Sequence, residues 1–315
     1  MERIGTIRNK IAAEMGFLVP QVRLKDNLRL DPFRYSIQLG GNEVAQGEVY
    51  PNMLFVSGAI DPQALPESAM PAEAPGFASN GFWIPISESQ QLQSQRVQLT
   101  QPAAVIARHL EFVANEHASE LLTREQTSLL FKQLQKTHPA IVEELVPERL
   151  SLAQVQQVLQ NLLAEEIPIR QLALICEALS DAAEKTSSPH ILTQLTRERL
   201  ARTISQRFSS HGEMQVVTLS PQLEERISNQ IDTSGNEIQS RLAPSEVESI
   251  CHEIRSHYQV GHQRPVLLAR PKNRTAIRWL TQHRVPDLIT LSHAEITLDT
   301  RVVSVGVIGA SAAAA

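Results

Sequence analysis

The chain has 315 residues, more than one small hydrophobic core usually organises, so we expect two or more domains. Apolar residues make up 42% and charged residues 20%, and the net charge of −5 argues against broad binding to nucleic acid or anionic membranes. The two cysteines, Cys176 and Cys251, fit neither a disulfide framework nor a zinc motif. No apolar run approaches the roughly 18 residues of a membrane-spanning helix.

The chain begins with a predicted amphipathic helix. Apolar residues recur at helical spacing from Ile4 to Met15, and Gly16 can take the left-handed conformation that ends a helix. Apolar and basic residues then alternate over 22–25, which predicts a strand with one buried face.

A β-hairpin and a proline-rich lobe are predicted next. Residues alternate again over 33–39, and Gly40-Gly41 favours a tight turn into a partner strand at about 42–49. Several prolines and weak periodicity over 51–85 indicate a small inserted lobe with irregular loops. Its bulky aromatic residues, which tend to be buried or to bind a partner, are Phe77, Phe82 and Trp83.

Helical patterns begin at Pro102 and continue over the middle of the chain. Thr123 with Gln126, and Ser151 with Gln154, are spaced as capping boxes that begin helices. Farther on, short apolar runs such as PVLLAR and VVSVGVI alternate with helical stretches, which is typical of an α/β layer.

These patterns predict an α+β multidomain fold. Its parts are a first mixed α/β subdomain at 1–50 plus 86–112, an inserted small lobe at 51–85, an all-helical subdomain at 113–187, a C-terminal α/β subdomain at 188–311 and a tail at 312–315. The end of the chain, ASAAAA at 310–315, is not expected to be a folded element.

No residue pattern predicts catalysis. His252, Glu253 and His257 suggest a zinc protease helix, but that motif needs its two histidines four residues apart, on one face. His109 lies near the apolar face of its helix, where a structural role is expected. We therefore expect no enzyme activity, no cofactor and no metal.

Two long stretches carry a family resemblance. One is GFLVPQVRLKDNLRLDPFRYSI, residues 16–37, with Gly41, Val44, Gly47 and Glu48 after it; the other is VLQNLLAEEIPIRQL, residues 158–172. Together with LSHAEI at 291–296, they resemble the cytoplasmic half of the large export-gate subunit of type III secretion systems, the FHIPEP family, in its injectisome branch.

This resemblance implies four cytosolic subdomains at the cytoplasmic face of the bacterial inner membrane, joined to a membrane-embedded N-terminal half that the chain lacks. Family members form a nonameric ring. The ring is expected to receive chaperone-bound substrates, a gatekeeper protein and the ATPase stalk, and to order export without catalysing a reaction. Nucleic acid is not an expected partner.

The resemblance also implies a chaperone-binding cleft. Flagellar members line it with an aspartate-proline-x-phenylalanine segment and a threonine before a histidine-leucine pair. Pro75 and Phe77 match this pattern, but Ala74 replaces the aspartate and Arg108 replaces the threonine. These departures favour an injectisome member. Trp83 is a further candidate for an apolar contact, with core packing as the alternative for both aromatic residues.

A ring interface is expected where opposite charges meet. The basic residues are Arg23, Lys25, Arg29 and Arg34. The acidic pair is Glu165 and Glu166, at the start of a turn that ends at Arg170. We predict that the basic strand-loop of one copy meets this turn of the next, since a ring joins two different patches.

Three alternatives stay open. The first is a flagellar export-gate homologue, and the second is a soluble α/β enzyme with a cofactor site in the C-terminal domain. The third is a monomeric adaptor, which differs from an export gate because it would form no ring.

Overall fold

The computed structural model describes residues 2–58, 65–77, 80–92, 97–233, 235, 237–258 and 266–309. The chain divides into two units, 1–121 and 122–315. None of the helices in these described ranges is long and apolar enough to cross a lipid bilayer.

The first unit begins with helix α1 (Glu2–Met15) and a β-hairpin of strands β1 (Arg34–Leu39) and β2 (Asn42–Glu48). Both features confirm the sequence prediction. Gly16, with φ 94°, ends the helix, and Gly40 and Gly41, with φ 57° and 92°, make the turn. These left-handed conformations are easily adopted only by glycine.

The predicted strand at 22–25 is wrong. These residues belong to no strand, and the Leu24 side chain is 71% exposed. Alternation alone does not make a strand, because a strand also needs a neighbour with which its backbone can form hydrogen bonds.

A second sheet of the first unit contains β3 (Met53–Gly58), β4 (Met70–Ala72), β5 (Gly81–Pro85) and β6 (Val97–Thr100), in the antiparallel order β4-β5-β3-β6. A 3-10 helix (Ile86–Leu92) follows β5. Phe55 and Trp83 of this sheet form a core with Val105 of helix α2 (Pro102–Glu116). Strand β6 lies outside the range predicted for the lobe, and the short helix α3 (Ala118–Leu121) ends the unit.

The second unit begins with helices. They are α4 (Arg124–Thr137), α5 (Pro139–Leu145), α6 (Leu152–Ala164), α7 (Leu172–Ala183), α8 (Pro189–Arg199) and α9 (Ala201–Phe208). Both predicted helix starts are confirmed: the Gln126 N–H donates to the Thr123 side chain, and Ser151 and Gln154 form a complete capping box.

An α/β layer completes the second unit. Its elements are β7 (Glu213–Leu219), α10 (Pro221–Gln230), β8 (Ile231–Asp232), β9 (Gln239–Ser240), α11 (Pro244–Tyr258), β10 (Val266–Ala269), α12 (Pro271–Thr281), β11 (Ile289–Ser292) and β12 (Arg301–Ile308). Four of these strands form a parallel sheet in the order β11-β10-β7-β12, and β8 pairs with β9. The α+β multidomain class is confirmed, whereas the predicted subdomain boundaries stay a prediction.

Candidate functional site

A groove of about 400 Å³ opens on the first unit between α1, α2 and the turn at 74–77. Its lining includes Ile7, Lys10, Gly76, Ala104, Arg108 and Phe112. The α2 residues recur every three or four positions, so they share one face of the helix. Small side chains on this face leave the space that the groove occupies.

Gly76 allows the 74–77 turn to approach α2 closely. Its φ is 83°, and a Cβ atom at this position would lie 2.9 Å from the Arg108 carbonyl oxygen and 3.2 Å from the Phe112 Cβ. The Phe77 N–H donates a hydrogen bond of 3.2 Å to the Ala74 carbonyl oxygen and closes the turn. Only glycine fits here without strain.

Phe77 and Arg108 meet at the groove. The Arg108 Cζ lies 4.4 Å from the centroid of the Phe77 ring, within the range of a cation–π contact. The same ring packs edge-on against the buried Phe55, with centroids 4.8 Å apart. Phe77 is therefore anchored by the lobe core and in turn supports the guanidinium group.

Charge in the groove is unevenly balanced. Lys10 pairs with Glu111 at 2.5 Å, and this hydrogen bond raises the pKa of the Lys10 ammonium. Arg108 is exposed, and no carboxylate of the described ranges lies within ion-pair distance of it. The groove therefore carries one net positive charge, on Arg108.

The structure brings Ala74, Phe77 and Arg108 together, as the cleft prediction requires, with Pro75 exposed on the same turn. Trp83 does not line the groove. Its side chain is only 2% exposed and belongs to the lobe core, against which Ala74 and Phe77 also pack. This burial contradicts the suggested binding contact and agrees with the alternative of core packing.

Phe112 and Lys10 are among the groove residues that the sequence did not indicate. Phe112 is 37% exposed and lies one helical turn after Arg108, so the helical spacing could have indicated it. Lys10 is contributed by α1, and nothing in the sequence connects it to α2.

His109 has the structural role that its sequence position suggests. It is buried, and a hydrogen bond of 2.7 Å joins its Nδ1 to the Tyr35 hydroxyl group. Burial lowers the pKa of His109 and raises the pKa of Tyr35 to about 12. Gly47 makes room for this pair, since a Cβ there would lie 2.5 Å from the Tyr35 hydroxyl oxygen. The pair fastens the hairpin to α2.

The predicted basic side of the ring interface lies in a segment without regular secondary structure. We call residues 23–29 the basic segment. Arg23, Lys25 and Arg29 are all exposed, and Leu24 and Leu28 are exposed among them. The segment thus presents charge and apolar surface together. Arg34 differs, because it pairs with Glu48 at 2.9 Å in the adjacent strand.

The predicted acidic side needs a correction at Glu165. Its side chain is 13% exposed and forms ion pairs with Arg197 at 3.1 Å and Arg274 at 2.5 Å. It therefore faces the interior of its own unit instead of a neighbouring copy. Glu166 lies 3.4 Å from Arg207 near the surface, and Arg170 is exposed.

Glu165 belongs to a buried network of four charges with Arg197, Arg274 and Glu295. Burial alone would raise the pKa values of both carboxyl groups, but the two guanidinium groups hold them below their ordinary range. Burial and Arg197 lower the pKa of Arg274, whereas the carboxylates hold that of Arg197 above its ordinary value. Two positive and two negative charges thus balance inside the second unit.

Comparisons with known proteins agree on one family. A model described as the FHIPEP family matches residues 1–301. The flagellar biosynthesis protein FlhA of Bacillus subtilis is 31% identical over 312 residues, which cover 98% of this chain and 46% of that protein. The chain therefore spans less than half the length of this relative.

Solved structures share the fold. The CdsV protein of Chlamydia pneumoniae superimposes with a TM-score of 0.88 at 23% identity, covering 98% of this chain and 89% of that one. The nonameric EscV cytosolic domain from the type III secretion system superimposes with a TM-score of 0.75 at 19% identity, covering 98% of this chain and 92% of that one.

Proposed function

Because the chain belongs to the FHIPEP family, we propose that it is the cytosolic docking platform of a type III protein export gate. It works at the cytoplasmic face of the bacterial inner membrane, where it receives chaperone-bound substrates and a gatekeeper and orders their export. The groove at Phe77 and Arg108 carries this proposal, since the family resemblance implies a chaperone-binding cleft at these two positions and the two side chains meet there.

The platform assembles as a nonameric ring and contacts the ATPase stalk. The nonameric state of the EscV cytosolic domain supports the ring, as does the exposed basic segment on this chain. Leu24 and Leu28 would be covered by a neighbouring copy, while Arg23 and Arg29 would meet acidic surface there.

The platform catalyses no reaction and needs no cofactor. In open parallel α/β sheets, ligands bind where the strand order reverses, here between the carboxyl ends of β7 and β12. In this chain the Ser220 N–H donates to the Ile308 carbonyl oxygen at 2.8 Å, and the Ser220 hydroxyl group donates to the Gly309 carbonyl oxygen at 2.9 Å. These contacts join the two strand ends at the position where the enzyme alternative would place a ligand, and this supports a platform without a cofactor.

The clients are those of an injectisome. Ala74 and Arg108 depart from the flagellar cleft pattern in charge and shape, and this supports the injectisome branch. A flagellar platform is the second candidate. It is favoured by the 31% identity to the Bacillus subtilis flagellar protein along 98% of this chain.

Retention of chaperone–substrate complexes on the immobilised chain tests both candidates. Injectisome complexes should be retained, and F112D should abolish retention because it puts a charge on the apolar wall of the groove. L129D is the matched control, since Leu129 is an exposed apolar residue on α4. Retention of flagellar complexes alone would select the second candidate, and retention of neither by folded protein would contradict docking.

A further inference from the structure

The unpaired charge in the groove indicates the chemistry of its occupant. Lys10 is neutralised by Glu111, whereas Arg108 has no carboxylate partner within the described ranges. The Lys10 ammonium also lies close enough to Arg108 to interact with it unfavourably. An incoming carboxylate would therefore relieve repulsion as well as gain an ion pair.

We infer that the groove selects an acidic amphipathic segment of its partner, which places a carboxylate against Arg108 and an apolar side chain beside Phe112. This inference rests on the proposed docking function and adds the chemical class of the docking segment. Arg108 acts as a specificity residue, and Phe112 supplies apolar contact.

Arg108 is positioned to receive that carboxylate. Its guanidinium group stacks on Phe77, whose ring is held by Phe55 of the lobe core. The contact with the ring leaves the guanidinium N–H donors available to a carboxylate, which can bind two of them. A supported arginine also loses less conformational freedom on binding than a free one.

The apolar part of the groove fits a helix or an extended segment. Ala104, Ala107 and Gly76 contribute little side-chain volume, and Phe112 forms part of the wall. The space of about 400 Å³ lies within the range of protein ligand pockets. It accommodates a few side chains, which is the size of contact that one face of an amphipathic segment makes.

The same charges reject other segments. A basic segment would be repelled by both Arg108 and Lys10. A neutral segment would cover the Arg108 guanidinium group without replacing the hydrogen bonds that it makes to water. Like-charge contact of this kind contributes to specificity as much as the favourable pair does.

Three fluorescent peptides of identical apolar pattern test the inference, with two Glu, two Gln or two Lys at the same positions of an amphipathic helix. Binding to the 315-residue chain is followed by fluorescence anisotropy. The Glu peptide should bind about two- to fivefold more tightly than the Gln peptide, and the Lys peptide most weakly. Added salt should reduce these differences.

Variants assign the preference to Arg108. R108Q should remove the difference between the Glu and Gln peptides, and R108E should reverse the order in favour of Lys. R199E is the matched control, because Arg199 is an exposed arginine on α8 in the other unit. Circular dichroism and thermal melting establish that each variant is folded.

Several results would overturn the inference. They are equal binding of the three peptides, no binding of the Glu peptide, and an acidic preference that survives in R108Q. Self-association of the chain that R108E abolishes would assign the groove to a second copy instead. The docking proposal is tested separately: complexes retained by a chain that shows no peptide preference would leave docking intact, and a clear acidic preference without retention would contradict docking alone.

Discussion

Arg197 and Glu295 form a bidentate ion pair with almost no solvent exposure. The Arg197 Nε and Nη2 donate to the two carboxylate oxygens at 2.9 and 2.8 Å, and the side chains are 1% and 0% exposed. The Ser292 N–H and the Gln194 amide also donate to the Glu295 carboxylate. The pair joins α8 to the 3-10 helix at His293–Glu295, which follows β11.

Removing one partner of this pair should be costly. E295Q removes the bidentate carboxylate and leaves two buried arginines, Arg197 and Arg274, with Glu165 alone, so we expect the free energy of unfolding of the second unit to fall by about 3–5 kcal/mol. Urea unfolding followed by circular dichroism measures it. The double variant R197M/E295L should lose much less than the sum of the single variants, since it removes both charges. If E295Q lowers the free energy of unfolding by less than about 1 kcal/mol, the pair contributes no more than an exposed ion pair and the prediction is wrong.

The network also predicts how stability depends on pH. The pKa values of Glu165 and Glu295 are lowered on folding, so the unfolded chain takes up protons first as pH falls. Their stabilising contribution is present above the unfolded pKa of about 4.3 and is lost as pH falls from there through the folded values. Urea unfolding across this window should show a steeper decline for the wild-type chain than for E295Q. Parallel declines would contradict the assignment.

Gly76 should tolerate no side chain. G76A combines a left-handed backbone with a Cβ only 2.9 Å from the Arg108 carbonyl oxygen, so we expect it to destabilise the first unit by about 1–3 kcal/mol. Thermal unfolding measures the effect. G5A is the control, because Gly5 lies in α1 with free space around it and should gain up to about 1 kcal/mol. Equal melting temperatures for the two variants would show that the turn relaxes.

Charge reversal in the basic segment should prevent ring assembly. R23E/R29E changes two exposed side chains, so the fold should persist while rings detected by sedimentation and electron microscopy are lost. Reversal at Glu165 would not test the interface, because it also breaks the buried network. E166K, nearer the surface, is the better partner variant. Rings that sediment unchanged in R23E/R29E would contradict the proposed interface.

Local signals made much of the fold predictable. The helix starts at Thr123 and Ser151 and the turn at Gly40-Gly41 depend on residues a few positions apart, and all three are confirmed. The alternation over 22–25 predicted a strand that does not form, because a strand also requires a partner that lies elsewhere in the sequence.

The candidate site was predictable only in part, for the same reason. Phe77 matches a family pattern and Arg108 stands where that pattern has a threonine, and the two side chains are in contact in the structure. In the sequence, Glu165 cannot be told from an exposed carboxylate such as Glu166. Its burial depends on Arg197 and Arg274, which lie on helices that are distant in the sequence. No spacing rule relates residues that tertiary packing alone brings together.

The stacking of Arg108 on Phe77 constrains how this groove can diverge. Phe77 packs against Phe55 inside the lobe, so any exchange at position 77 would loosen the lobe as well as alter the groove. Arg108 is exposed, and its replacement leaves that core untouched. A single change at position 108 can therefore alter the charge of the groove without loosening the lobe, whereas a change at position 77 affects both.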